Sequence, residues 1–219
     1  MEAFPVEHVR RLQRSRVVAG FSVDRVENAV PIARALLSGG LDTIELTLRT
    51  RAALEAVRAI HEEVPEMFLG VGTLLSPEQA DQVKAAGADF GVAPGLSPRV
   101  IEAAREVELP FAPGVCTPTD LEGAIEHGCR LVKFFPAEAS GGLAYLRSMA
   151  APYKHLGLRY FPLGGIQTRN MTDYLREEIV AAVGGSWIVQ KALVDAGDWT
   201  GIKERAAEVS RILGHSADN

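Results

Sequence analysis

The sequence predicts an α/β protein of the (β/α)8 barrel class, in one domain over 1–219, and three observations carry that prediction. Short apolar runs alternate with helix-length amphipathic stretches at intervals of about 20–25 residues, the rhythm of parallel strands joined by helical crossovers. Eight such units are present. That number suits a closed barrel better than an open doubly wound sheet, and no glycine fingerprint for a dinucleotide follows the first run. Finally, 47% of the residues are apolar and 23% charged, with no linker-like stretch, so a chain of 219 residues has enough apolar surface for one large core.

Residues 5–15 predict a short basic helix ahead of the barrel proper, which spans about 17–213. Residues 17–23 make strand one. Asp24, with Glu27 three positions later, predicts a capped helix carrying Val26, Val30, Ala33 and Leu37 on one face, kinked at Pro31 and ended by Gly39-Gly40. Residues 41–46 begin strand two and 67–71 form strand three. Ser76-Pro77-Glu78-Gln79 then supplies an N-cap, a proline at the first helical position and a glutamine that closes the box. Strands four and five fall at 90–93 and 111–114, and Ser97-Pro98 and Thr117-Pro118 open the helices after them. Strand six lies within 130–136, strand seven at 159–163 and strand eight at 180–183. Helices are expected at 143–150 and 168–177, and Asp198 caps a last amphipathic helix ending at Leu213.

Composition narrows the function. A formal charge of −5, from 28 acidic and 23 basic residues without a long basic run, disfavours nucleic acid as a partner. No apolar run approaches the roughly 18 residues of a membrane span, and the N-terminal stretch lacks the apolar centre and cleavage site of a signal peptide, so a soluble, cytoplasmic protein is expected. Cys116 and Cys129 lack CxxC spacing and are expected to be free thiols. His8, His61, His127, His155 and His215 form neither HxH nor HExxH, so no metal or other cofactor is expected.

The sharpest signal is Lys133, within Arg130-Leu131-Val132-Lys133-Phe134-Phe135-Pro136. Side chains alternate along a strand, so Leu131, Lys133 and Phe135 share one face and Val132 and Phe134 the other. Both faces are largely apolar, as in a strand covered on both sides. Burial of an ammonium favours its neutral form, and a neutral amine is a nucleophile. The alternative is a lysine that reaches past the strand end to pair with a carboxylate. On strand two, Thr43, Glu45 and Thr47 alternate with Ile44, Leu46 and Leu48, which turns Glu45 into the barrel if the aliphatic residues face the helices. An inward Glu serves equally as partner to the lysine or as a base. Together the two supply an imine-forming amine and a proton carrier, the combination that carbonyl chemistry needs.

Other polar groups gather at the strand ends, where barrels of this class place their active sites. Arg49 follows strand two and is either a carboxylate clamp or a solvated loop residue. Thr73 ends strand three as a possible hydrogen-bond donor, and Pro94 ends strand four as a wall. Gly164-Gly165 and Gly184-Gly185-Ser186 close the last two strands, in the loops where such barrels commonly hold phosphate on backbone amides.

The segments at 44–50 (IELTLRT), 70–73 (GVGT), 93–96 (APGL), 133–138 (KFFPAE), 164–166 (GGI) and 184–187 (GGSW) resemble the class I 2-keto-3-deoxy-6-phosphogluconate (KDPG) aldolases, including those acting on 4-hydroxy-2-oxoglutarate (KHG). The resemblance spans about 17–213 in order and spacing. It implies a metal-free aldehyde-lyase, typically a homotrimer of the Entner–Doudoroff route or related sugar-acid breakdown. Lys133 would form the Schiff base and Glu45 would be the general acid/base. Arg49 and Thr73 would hold the pyruvate-like end of the keto-acid, with Pro94 and Phe135 packed around it, while Gly164, Gly165, Gly185 and Ser186 would hold the phosphate. The family's phosphogluconate enzymes usually carry Thr immediately before the Gly-Gly of strand seven, where this chain has Leu163. The related phosphogalactonate aldolases carry an apolar residue there, so KDPG is the first expected substrate and the galactonate epimer or KHG the alternative. Strand one ends Phe21-Ser22-Val23 without the arginine of some branches. A phosphate-binding isomerase or decarboxylase would explain the glycine loops but not the lysine, and a non-catalytic sugar-phosphate sensor would bind ligand without turnover.

Overall fold

A computed structural model of the chain describes residues 4–214; His215 lies outside that range. Parallel strands alternate with helices around a barrel. The strands are β1 (Val17–Phe21), β2 (Thr43–Thr47), β3 (Phe68–Gly72), β4 (Phe90–Val92), β5 (Phe111–Ala112), β6 (Gly114–Val115), β7 (Leu131–Phe134), β8 (Arg159–Pro162) and β9 (Val183–Gly185). The helices are α1 (Val6–Ser15), α2 (Ala29–Ser38), α3 (Ala53–Glu63), α4 (Pro77–Ala85), α5 (Pro98–Glu106), α6 (Pro118–Glu126), α7 (Gly142–Ala150), α8 (Met171–Leu175), α9 (Lys191–Ala196) and α10 (Trp199–Leu213). Among them no helix is long and apolar enough to cross a membrane.

Hydrogen bonding orders one sheet β5-β4-β3-β2-β1-β9 and another β6-β7-β8. The two meet where β5 runs into β6 across Pro113, and where parallel bridges Tyr160↔Val180 and Leu163↔Gly184 join β8 to the approach and start of β9. The expected strand five is therefore split at Pro113. Its carbonyl still accepts from the Lys133 amide at 2.8 Å, and the Gly114 amide reaches back to the Gly95 carbonyl at 3.2 Å, so β6, paired with β7, stays tied to the turn after β4 across the break.

Alternation along the strands sorts the core. Val18, Phe68, Phe90, Val92, Ala112, Leu131, Phe161 and Leu163 fill the interior, while Val17, Ala19, Ile44, Leu46, Val71, Val132 and Phe134 pack in the layer under the helices. The N-terminal segment, read from sequence only as a basic helix, plugs one end: Phe4 and Leu12 join the interior cluster, and His8 and Arg11 lie against Phe68 at 5.3 and 4.6 Å.

Several boundaries differ from those expected. No capped helix begins at Asp24: a 3-10 turn, Val26–Asn28, precedes α2, and the Asp24 carboxylate pairs with Lys191 at 3.3 Å. Pro31 then falls in the first turn of α2, where a missing N–H forfeits no helical bond, so the helix runs on through it. The helix expected at 168–177 shortens to α8, since Asn170 caps the loop instead, its Oδ1 accepting from the Gln167 amide at 2.7 Å. The last strand sits later than 180–183: Val180 makes one bridge, and regular pairing with β1 starts at Val183. Residues 191–196 form α9, unassigned from sequence. The Pro-initiated helices begin as read, and Thr117 caps α6 by accepting from the Asp120 amide at 3.2 Å, with Asp120 reciprocating to the Thr117 amide at 2.9 Å.

Candidate active site

The β7 lysine and the β2 glutamate meet inside the barrel. Lys133 Nζ donates to Glu45 Oε1 at 2.8 Å, with the side chains 6% and 3% exposed. Strand register brings them there. Leu131 and Phe135, on the Lys133 face, belong with the interior residues, whereas Ile44 and Leu46, flanking Glu45, lie under the helices. The Phe135 ring sits 5.3 Å from Nζ, so an aromatic wall flanks the amine. The pair is thus a proton donor and acceptor in contact and shielded from bulk water, where a charged pair is held by its geometry rather than by solvation.

Room for the carboxylate comes from Gly72, on which a Cβ would stand 1.9 Å from Glu45 Oε1. The sequence reading gives Gly72 no role of its own. The available signal was a glycine inside a strand, the mark of a close approach.

The remaining sequence-identified residues all sit at one rim, the C-terminal ends of the strands. Arg49 lies just past β2, is exposed, and its guanidinium has no ion pair or hydrogen bond among the described residues. Thr73 directly follows β3 with φ +67°, a left-handed conformation that is an outlier for a β-branched residue. Pro94 follows β4; a Cβ on Gly114 would come within 2.2 Å of its carbonyl carbon, so Gly114 lets β6 pack against the Pro94 turn. Phe135 follows β7 and Leu163 follows β8. Leu163 is 5% exposed and leans on Gly184, where an added Cβ would stand 2.8 Å from its Cδ2.

The glycine loops flank the same rim. Gly164 and Gly165 both have positive φ, +95° and +85°, which frees this turn to present backbone rather than side chains. Gly185 closes β9 under the Trp187 ring, and Ser186 is exposed beside it. Among the described residues, the amides of Gly165 and Ser186 donate to no protein acceptor. No group of three or more His, Cys, Asp or Glu among those residues is placed to hold a metal ion. Cys116 and Cys129 are free; burial pushes the Cys129 thiol up to about 11, while the Cys116 thiol donates to Ser140 Oγ at 3.0 Å.

The family model described as KDPG and KHG aldolase matches residues 9–205, most of the chain. The chain belongs to the KDPG and KHG aldolase family. It is 42% identical over 203 residues to a 2-dehydro-3-deoxy-phosphogluconate aldolase of Treponema pallidum, covering 93% of this chain and 96% of that one. It is 43% identical over 192 residues to the KHG/KDPG aldolase of Escherichia coli K12, covering 88% and 89%. A crystal structure of KDPG aldolase from Legionella pneumophila, with pyruvate captured at low pH as a covalent carbinolamine intermediate, superposes with a TM-score of 0.87 at 34% identity, covering 92% of this chain and 96% of that one. The fold is that of these aldolases.

One further contact frames the site. Tyr174, 1% exposed in α8, donates to Glu138 Oε1 at 2.5 Å. Burial, and after it the Glu138 carboxylate, hold the Tyr174 phenol well above its ordinary value, so it remains a donor. No motif made this pair visible in the sequence, because the two residues are 36 positions apart.

Proposed function

We propose that the chain is a metal-independent class I aldolase that cleaves 2-keto-3-deoxy-6-phosphogluconate to pyruvate and glyceraldehyde 3-phosphate. The buried Lys133–Glu45 contact carries the reading: an amine and a base 2.8 Å apart, inside a barrel and below its C-terminal rim. Glu45 takes a proton from Lys133 Nζ, and the freed amine adds to the C2 ketone. The carbinolamine loses its hydroxyl as water, with the proton returned by Glu45, and leaves an iminium on Nζ. Glu45, directly or through a water, then removes the C4 hydroxyl proton. The C3–C4 bond breaks, its electron pair flows into the iminium, and the aldehyde departs. Protonation of the enamine at C3 and hydrolysis release pyruvate and the amine.

Arg49 and Thr73 hold the carboxylate end and Pro94 and Phe135 enclose it, while Gly164, Gly165, Gly185 and Ser186 bind the phosphate. Binding so far from the breaking bond helps by holding that bond in line with the imine. Turnover that survives a chelator but disappears in Lys133→Met supports this reading; metal-dependent turnover, or a Lys133→Met enzyme at the wild-type rate, overturns it. The assembly proposed with it is a homotrimer, which sedimentation equilibrium tests directly.

Leu163 favours a second reading, activity toward the phosphogalactonate epimer or KHG. A buried leucine gives the substrate's hydroxyl no partner, and loss of such a contact shifts discrimination between hydroxyl epimers by about 1–3 kcal/mol. Rates on the two epimers and KHG, for the wild type and Leu163→Thr, decide between the readings. A galactonate or KHG preference that Leu163→Thr reverses would favour the second; an unchanged gluconate preference would favour the first.

A further inference from the structure

The Tyr174–Glu138 pair joins two loops that the proposed reaction must keep in register. Glu138 lies five residues after Lys133 on the loop that leaves β7. Its amide donates to the Gly164 carbonyl at 2.9 Å, as the Ala137 amide does to Leu163 at 2.7 Å. Added Cβ atoms on Gly165 and Gly164 would stand 2.6 Å from Glu138 Cβ and 3.1 Å from Pro136 Cα, so the glycine turn is seated directly on the segment 136–138. The far side of the turn is held by Asn170, whose Nδ2 donates to the Gly165 carbonyl at 3.3 Å. From there the chain enters α8, which carries the buried Tyr174 whose hydroxyl returns to Glu138. A closed loop results: lysine strand, Glu138, glycine turn, α8, Tyr174 and Glu138 again.

We propose that Tyr174 and Glu138 are positioning residues that fix the Gly164–Gly165 turn relative to Lys133, and so set how much of the substrate's phosphate binding is realised while C2 stands at the amine. The inference rests on the reading of the glycine loops as the phosphate site. Neither side chain needs to touch substrate. Glu138 acts through its amide and through the carboxylate that accepts from Tyr174, and Tyr174 acts through Glu138.

Tyr174→Phe removes one hydroxyl and keeps the ring in place. The kinetics to compare are those on the phosphorylated keto-acid, on the same acid without its phosphate, and inhibition by inorganic phosphate. Loss of a hydrogen bond to a carboxylate is expected to raise KM for the phosphorylated substrate and weaken phosphate inhibition by about ten-fold. The rate on the unphosphorylated acid and the yield of borohydride-trapped pyruvate on Lys133 should stay within about two-fold, below the effect of losing even a weak hydrogen bond. Glu138→Gln, whose amide oxygen still accepts from Tyr174, should retain phosphate affinity, and Glu138→Ala should lose it as Tyr174→Phe does. Equal losses on both substrates, or unchanged phosphate affinity in Tyr174→Phe and Glu138→Ala, would overturn the proposal while leaving the phosphate site standing. A wild-type enzyme indifferent to the substrate's phosphate and to inorganic phosphate would overturn the phosphate-site reading, and the proposal with it.

Discussion

Glu45 occupies space that a methyl group on Gly72 would claim, and this gives the most local prediction. In Gly72→Ala the new carbon would stand 1.9 Å from Oε1, so the carboxylate must leave its 2.8 Å contact with Lys133. Turnover should fall by about 10²–10⁴-fold, the usual worth of a positioned general base, with the circular dichroism spectrum unchanged. Turnover near wild type would mean that the carboxylate's position is immaterial. The pair is also a stability element: Lys133→Met leaves a buried carboxylate without its partner and should cost about 3–5 kcal/mol in denaturant unfolding, much of it recovered in the Lys133→Met/Glu45→Met double variant. Thr73 carries the opposite balance. Its φ of +67° costs an ordinary residue about 1–2 kcal/mol, so Thr73→Gly should lose little or no stability while raising KM for the keto-acid. The period of two made Lys133 and Glu45 legible in the sequence. A glycine inside β3 signals a close approach at Gly72 but not which group approaches, and the Thr73 backbone carries no signal, since both depend on what packs opposite them.

Helix α1 seals the end of the barrel away from the site, and its His8 makes that seal pH-sensitive. Burial against Phe68, ahead of the opposing charges of Glu7 and Asp89, lowers the imidazole below its ordinary value. Arg11 and Lys84 act in the same direction as burial. The unfolded chain therefore binds the proton more readily, so the contribution of a neutral His8 is complete above about pH 6.5 and is lost as pH falls below it. The melting temperature of the wild type should drop between pH 7.5 and 5.5, and that of His8→Phe should drop less; equal drops would remove His8 from the account. Elements with their own start signals, such as α4 and α6, were readable because a cap and a proline act locally. The Asp24 box does not form: a 3-10 turn occupies Val26–Asn28, and the exposed Asp24 carboxylate lies beside Lys191, 167 residues away.

At the scale of the whole molecule, apolar alternation and the count of units were enough to give the barrel, and barrel geometry then pointed to the C-terminal strand ends as the candidate site. Closure was less visible. It depends on the split at Pro113 and on Leu163 meeting Gly184, contacts between segments that carry no mark of each other in sequence. The same holds for the bond from Tyr174 to Glu138. Arg49, Thr73, Pro94, Phe135, Leu163 and the glycine loops share one rim above one buried amine, and the account stands on what that amine does. The direct measurement is to incubate the purified protein with pyruvate and sodium borohydride, in the presence of a chelator, and to map the product by intact mass and peptide sequencing. A single reduced pyruvate adduct on Lys133 is the expected result. A folded protein that binds pyruvate yet gives no adduct, or an adduct on another lysine, would remove Lys133 as the imine-forming amine.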